Sequence, residues 1–280
     1  MQFILAAAIG LLAGAHISTW GMYKDSPHEG FTWATYARSI VLAVVLGLVW
    51  KIIIGEGIDL ARAAEAVVLF GVVYVSERAL TELYKGYIRE EDQSKYFIPM
   101  QFHVGGRVVH DRKIRWMVGI AWVLVALLTS AAVLWWQESG PRVHPLVIVL
   151  VVGSIGGWLT AFGGAWKDAP IEGFDLLKFF RSPVVSFLWA ALIALFTSNY
   201  LFIGLAGAGY SVATWETYKT FFFPSKPRGK FAGKPMPYTE MLSRRKWFVP
   251  IYVAVWAIVI TLIAIALVLR SPGDGLWGGA

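Results

Sequence analysis

The sequence predicts an all-α integral membrane protein with eight transmembrane helices, arranged as a parallel tandem repeat of four plus four. Composition, the length of the apolar runs and an internal duplication each point to it. Hydrophobic residues make up 57% of the 280-residue chain and charged residues 15%, against about 45–50% apolar and about 25% charged in an average soluble domain. Runs of about 18 apolar residues or more can cross a hydrocarbon core of about 30 Å as helix. Such runs lie near 2–20, 38–55, 60–83, 115–136, 144–165, 181–203, 204–221 and 247–270.

The duplication joins two stretches. Tyr23-Lys24-Asp25-Ser26-Pro27-His28-Glu29-Gly30-Phe31, with Arg38-Ser39 after it, returns as Trp166-Lys167-Asp168-Ala169-Pro170-Ile171-Glu172-Gly173-Phe174, with Arg181-Ser182 after it. The offset is constant, since 168 − 25 = 143 and 181 − 38 = 143. A second pair, Glu82-Leu83-Tyr84-Lys85 and Glu216-Thr217-Tyr218-Lys219, lies at 216 − 82 = 134, so the second copy is shorter between its motifs. Self-similarity of this kind marks a repeat architecture. Repeat one is 1–140 and repeat two 141–280. Four spans is an even number, so both repeats would enter the membrane in the same sense, related by a pseudo-twofold axis along the membrane normal.

The first run lacks the basic start of a signal peptide and is read as a span. Its small residues Gly10, Ala13, Gly14 and Ala15 match Gly153, Gly156 and Gly157 in the fifth, so spans one and five are expected at the centre, where small residues let helices approach. His16 aligns with Leu159 of the copy, and packing is the preferred role for it over function. Ser26-Pro27-His28-Glu29 reads as a capping box that starts a short helix. Phe31, Trp33, Tyr36, Phe174, Phe179 and Phe180 read as an aromatic belt.

Span two ends at Lys51 and the turn Gly55-Glu56-Gly57. Span three carries Glu65, Glu77 and Arg78, and Arg78 can pair with Glu82 one turn on. Glu77 has no charged counterpart in the copy and is the leading asymmetric functional candidate, beside a purely structural ion pair. The loops 86–114 and 220–246 are basic and broken by Gly and Pro, as lids over a site or anchors on a lipid surface, with anchoring preferred. They share Lys95 with Pro99-Met100, and Lys230 with Pro235-Met236. His103, His110 and Asp111 have a loose metal-ligand look without counterpart in the copy. Gly204 to Gly209 follow no strand, which argues against a dinucleotide fingerprint.

The absence of cysteine excludes disulfides and thiolate chemistry. Of the 25 Lys and Arg, twenty fall on the side of the duplicated motif, Lys51, Arg62, Arg142 and Arg270 fall on the other, and Arg78 is inside a span. The positive-inside rule then puts the long loops in the cytoplasm and both termini outside. The net charge of +7 suits anionic lipid, since the basic residues flank helices and form no soluble patch for nucleic acid. Oligomer or complex partners stay open.

Both motifs gather charge at one membrane surface. Lys24, Arg38, Lys85, Lys167, Arg181 and Lys219 would bind an anionic substrate. Asp25, Glu29, Glu82, Asp168, Glu172 and Glu216 would orient them or hold a divalent ion, Mg²⁺ first. Glu77 and Arg78 form the intramembrane pair. Three readings follow: a transporter or flippase for a phosphate-bearing lipid or metabolite, a metal-dependent lipid-modifying enzyme of the phosphoryl-transfer type, and a non-catalytic membrane subunit or scaffold.

Overall fold

The computed structural model describes residues 1–222, 229–271 and 273–279. Its helices are α1 (Gln2–Glu29), α2 (Trp33–Ile54), α3 (Ala63–Leu83), α4 (Arg112–Ser139), α5 (Pro145–Glu172), α6 (Leu176–Ile193), α7 (Tyr200–Thr217), the short α8 (Met241–Arg244) and α9 (Val249–Val268). Both α3 and α7 run on into a π-helical turn, Tyr84–Ile88 and Tyr218–Phe222. Two-residue strands β1 (His103–Val104) and β2 (Arg107–Val108) pair antiparallel in the first long loop.

Six helices are long and apolar enough to cross a membrane: α1, α2, α4, α5, α6 and the unit that runs from α8 into α9. The chain is an α-helical, multi-pass membrane protein. The remaining two long helices, α3 and α7, are held in the middle. Charges on α3 and glycines and hydroxyls on α7 lower their hydropathy, and surrounding helices shield both, which is where polar residues are tolerated in a bilayer. The expectation that spans one and five are central is corrected for span five, since α5 is much less buried than α3 and α7, whereas α1 is buried to a similar degree. At the α3–α7 contact, a Cβ on Gly209 would run into the Gly71 carbonyl, and one on Gly71 into the Ala206 backbone. Gly10 and Gly14 of α1 serve its pairing with α2, while α5 uses Gly157 against α6 and Gly156 against Ala208 of α7.

Four residues expected to begin a helix end one. Ser26 to Glu29 are the last turn of α1, with Pro27 inside it, and Gly30 closes it at φ 78° with its N–H on the Ser26 carbonyl. Proline has no N–H for the carbonyl four residues back, and Arg245 donates to that Tyr23 carbonyl at 2.8 Å. The real starts are capped by Thr32 for α2 and Asp175 for α6. α5 ends likewise at Glu172 with Pro170 inside it and Gly173 at φ 83°. Two other boundaries differ from the apolar runs: α6 starts at Leu176 and α7 at Tyr200, where Asn199 accepts from the Phe202 N–H. Lys226 and Arg228, counted among the basic loop residues, lie outside the described residues.

Candidate functional site

The C-terminal ends of α1, α3, α5 and α7 meet the two long loops at one end of the bundle, and most of the duplicated charges converge there. Lys24 of α1 lies 3.5 Å from Glu216 of α7, which also binds Lys219 at 2.5 Å. Arg78 of α3 pairs with Glu82 and lies 3.8 Å from Glu77, and Lys85 lies 3.8 Å from Glu82. Lys167 of α5 acts electrostatically on Glu82, and Arg181 of α6 on Lys219. Lys230 binds Asp25 at 2.9 Å and Glu29 at 3.5 Å. Trp20 lies under this set, its ring 5.0 Å from Lys24 Nζ and 5.1 Å from the Arg78 guanidinium. Trp215 does the same for Arg181 at 4.6 Å.

Lys24, Arg78, Lys85, Lys167, Arg181, Lys219 and Lys230 stand against Asp25, Glu29, Glu77, Glu82 and Glu216, a surplus of cations. Most are shielded: the side chains of Arg78 and Lys85 are each 13% exposed and that of Lys230 11%. Burial pushes Lys85, in the turn beyond α3, down to about 8; Glu82 opposes this while Arg78 and Lys230 add to it. Burial likewise holds Lys219 below the ordinary lysine value against the pull of Glu216. Lys24, Arg78, Lys85, Lys219 and Lys230 each have a carboxylate partner, so the shielded part of the cluster is a network of ion pairs. Asp25 Oδ1 and Glu77 Oε2 are buried without a hydrogen-bond partner.

Other sequence-stretch candidates lie elsewhere. Arg38 is exposed on α2. Asp168 and Glu172 are both held by Lys178, each at 3.0 Å, in a more exposed setting. Glu77 is fully buried, its Oε1 accepting from Thr81 at 2.9 Å. His103 is occupied by backbone carbonyls, Gln101 on Nδ1 and Lys167 on Nε2, each at 3.0 Å, and Asp111 caps α4. Among the described residues no three His, Asp or Glu side chains converge as a metal site, and each cluster carboxylate faces a Lys or Arg. That arrangement orients basic groups better than it ligates Mg²⁺.

Trp20 and Lys178 were not singled out from the sequence, and Lys230 was only as a feature shared by the two long loops, not as a site residue. Lys230 carried one usable signal, its alignment with Lys95 at 230 − 95 = 135, close to the offset of the second motif.

Each long loop reaches across to the opposite half, although Tyr96 of the first also donates to Glu29 of α1 at 2.8 Å. The segment after α7 lies on the end of α1: the Tyr238 N–H donates to the Pro27 carbonyl at 3.1 Å, and His28 stacks on Phe231 at 4.2 Å. The segment after α3 lies on the end of α5, where Trp166 Nε1 donates to the His103 carbonyl at 3.2 Å. The two segments join through the Phe97 N–H and the Lys230 carbonyl, 2.7 Å apart. Two cavities of about 460 and 370 Å³ sit at the opposite end, on either side of Phe196.

No family model, curated protein or solved structure matches the chain.

Proposed function

We propose that this protein is a transporter or flippase for an anionic, phosphate-bearing lipid or metabolite, which binds at the cytoplasmic end of the interface between two four-helix repeats. The observation that carries the reading is the convergence of Lys24, Lys85, Lys167, Arg181 and Lys219 from α1, α5, α6 and the turns after α3 and α7, with carboxylates that hold the basic groups in place. Charge-assisted and multidentate contacts are how proteins hold phosphate. The matching ends of α1 and α5, the matching π turns and the exchanged loops support the repeat. The surplus of Lys and Arg at that end supports a cytoplasmic orientation.

The test is reconstitution into phosphatidylcholine vesicles, in two arms. One follows the transbilayer movement of a fluorescent phosphatidic acid; the other follows uptake of radiolabelled glycerol 3-phosphate. The expected result is activity in one arm that Lys24→Gln and Lys219→Gln each lower about tenfold or more, a loss of about 1.4 kcal/mol in transition-state stabilisation per factor of ten. Wild-type vesicles inactive in both arms, or variants as active as wild type, would overturn the reading.

A further inference from the structure

Below the cluster, His16 is 1% exposed and held among α1, α3 and α9. Its Nδ1 lies 3.0 Å from the Tyr74 hydroxyl, and Trp20 Nε1 lies 2.9 Å from the same oxygen. An indole N–H only donates, so the Tyr74 oxygen accepts from Trp20, while the direction of its bond with His16 Nδ1 depends on the imidazole tautomer. His16 Nε2 is buried without a hydrogen-bond partner.

Protonated, the imidazole carries an N–H on both nitrogens, so Nδ1 donates to the Tyr74 oxygen, which then accepts from His16 and Trp20 together. Trp20, tied to that oxygen, is the ring under Lys24 and Arg78. On its other side the imidazole stacks on Tyr252 at 4.2 Å, and the Tyr252 hydroxyl lies 2.6 Å from Thr217 Oγ1, next in sequence to Glu216. The titratable and charged groups that bear on His16 are therefore Tyr74 from α3, Tyr252 from α9 and Glu216 from α7.

We propose that His16 is a proton site coupled to anion binding at the cluster, so that the protein carries a proton together with its anion. A proton on His16 adds positive charge beneath a cation surplus, which an anion relieves, and the linkage is reciprocal: the anion raises the affinity for the proton by the same factor. The inference rests on the reading of the cluster as an anion site.

The test uses the full chain in detergent and sulfate, a phosphate surrogate that stays a dianion from neutral to mildly acidic pH. Apparent affinity is read from the rise in melting temperature with sulfate concentration. The wild type should bind sulfate about fivefold more tightly or better at mildly acidic pH than at neutral pH. His16→Gln and Tyr74→Phe should lose that gain; His16→Phe, which keeps the ring stack, replaces the first where Gln prevents folding. The other histidines remain in every variant, so the difference isolates His16. A wild type that binds sulfate with no acid gain, or variants that retain the gain, would overturn the coupling alone. A wild type that sulfate stabilises at neither pH would overturn the anion reading and the coupling with it.

Discussion

Lys230 holds Asp25 and Glu29 from a loop distant in sequence, whereas Lys178 holds Asp168 and Glu172 from the next helix. The carboxylates of the two clamps are alike in exposure, but the lysine of the first is shielded, at 11% exposed, and that of the second lies at 35%. Asp25→Asn removes the closer partner of a shielded lysine and should cost about 1–3 kcal/mol, the range for a hydrogen bond to a charged group. Asp168→Asn should cost less than about 1 kcal/mol, as exposed ion pairs do. Melting curves of the two variants in detergent check the order, and equal losses would mean that the two sites are equally shielded. Lys85 supplies a pH dependence: its ammonium loses its proton as pH rises through about 8, so a cation leaves the cluster and anion affinity falls. Sulfate titrations across that range should show the decline in wild type, and Lys85→Arg, which stays charged, should abolish it. The residue types of this site were legible in the duplicated motifs, but which copy is buried was not, because Lys230 and Lys178 reach equivalent carboxylates from unrelated places in the chain.

Helices α3 and α7 approach closely where Gly71 and Gly209 meet each other and Ala206, with the Phe70 and Tyr210 rings packed beside them, so an added methyl there has no room. Gly209→Ala should cost about 1–3 kcal/mol by overpacking. Gly163→Ala, at a place on α5 where an added Cβ meets nothing within 4 Å, should be neutral or gain up to about 1 kcal/mol in helix propensity. Thermal melts of the pair measure the difference directly, and matching melting temperatures would show that the close approach does not exist. Small residues were visible in the sequence of every span, but periodicity alone does not say which of two faces meets which neighbour. Proline misled for a local reason: Pro27 fits a first helical turn or, with Arg245 supplying the missing donor, a last one.

At the scale of the molecule, hydropathy revealed a helical membrane protein directly, because lipid-facing helices must be apolar all along their length. It misplaced the centre, because α3 and α7 are released from that requirement by their neighbours. The chain has no cysteine, so single cysteines give an unobstructed test of sidedness. Cysteines at exposed positions 107 and 239, at the loop end, should react from one side of the membrane, and cysteines at 56 and 139 from the other. Reaction of 107 and 239 from opposite sides would refute the parallel arrangement. The exchanged loops bear on how such a protein opens. Residues 230 to 238 are fastened to α1 and residues 100 to 106 to α5, so each long loop is anchored by one end in its own half and by its tip in the other. Neither loop can lift without pulling on the opposite half. A parting of the two halves would therefore move both loops at once, as crossed straps whose tension is shared.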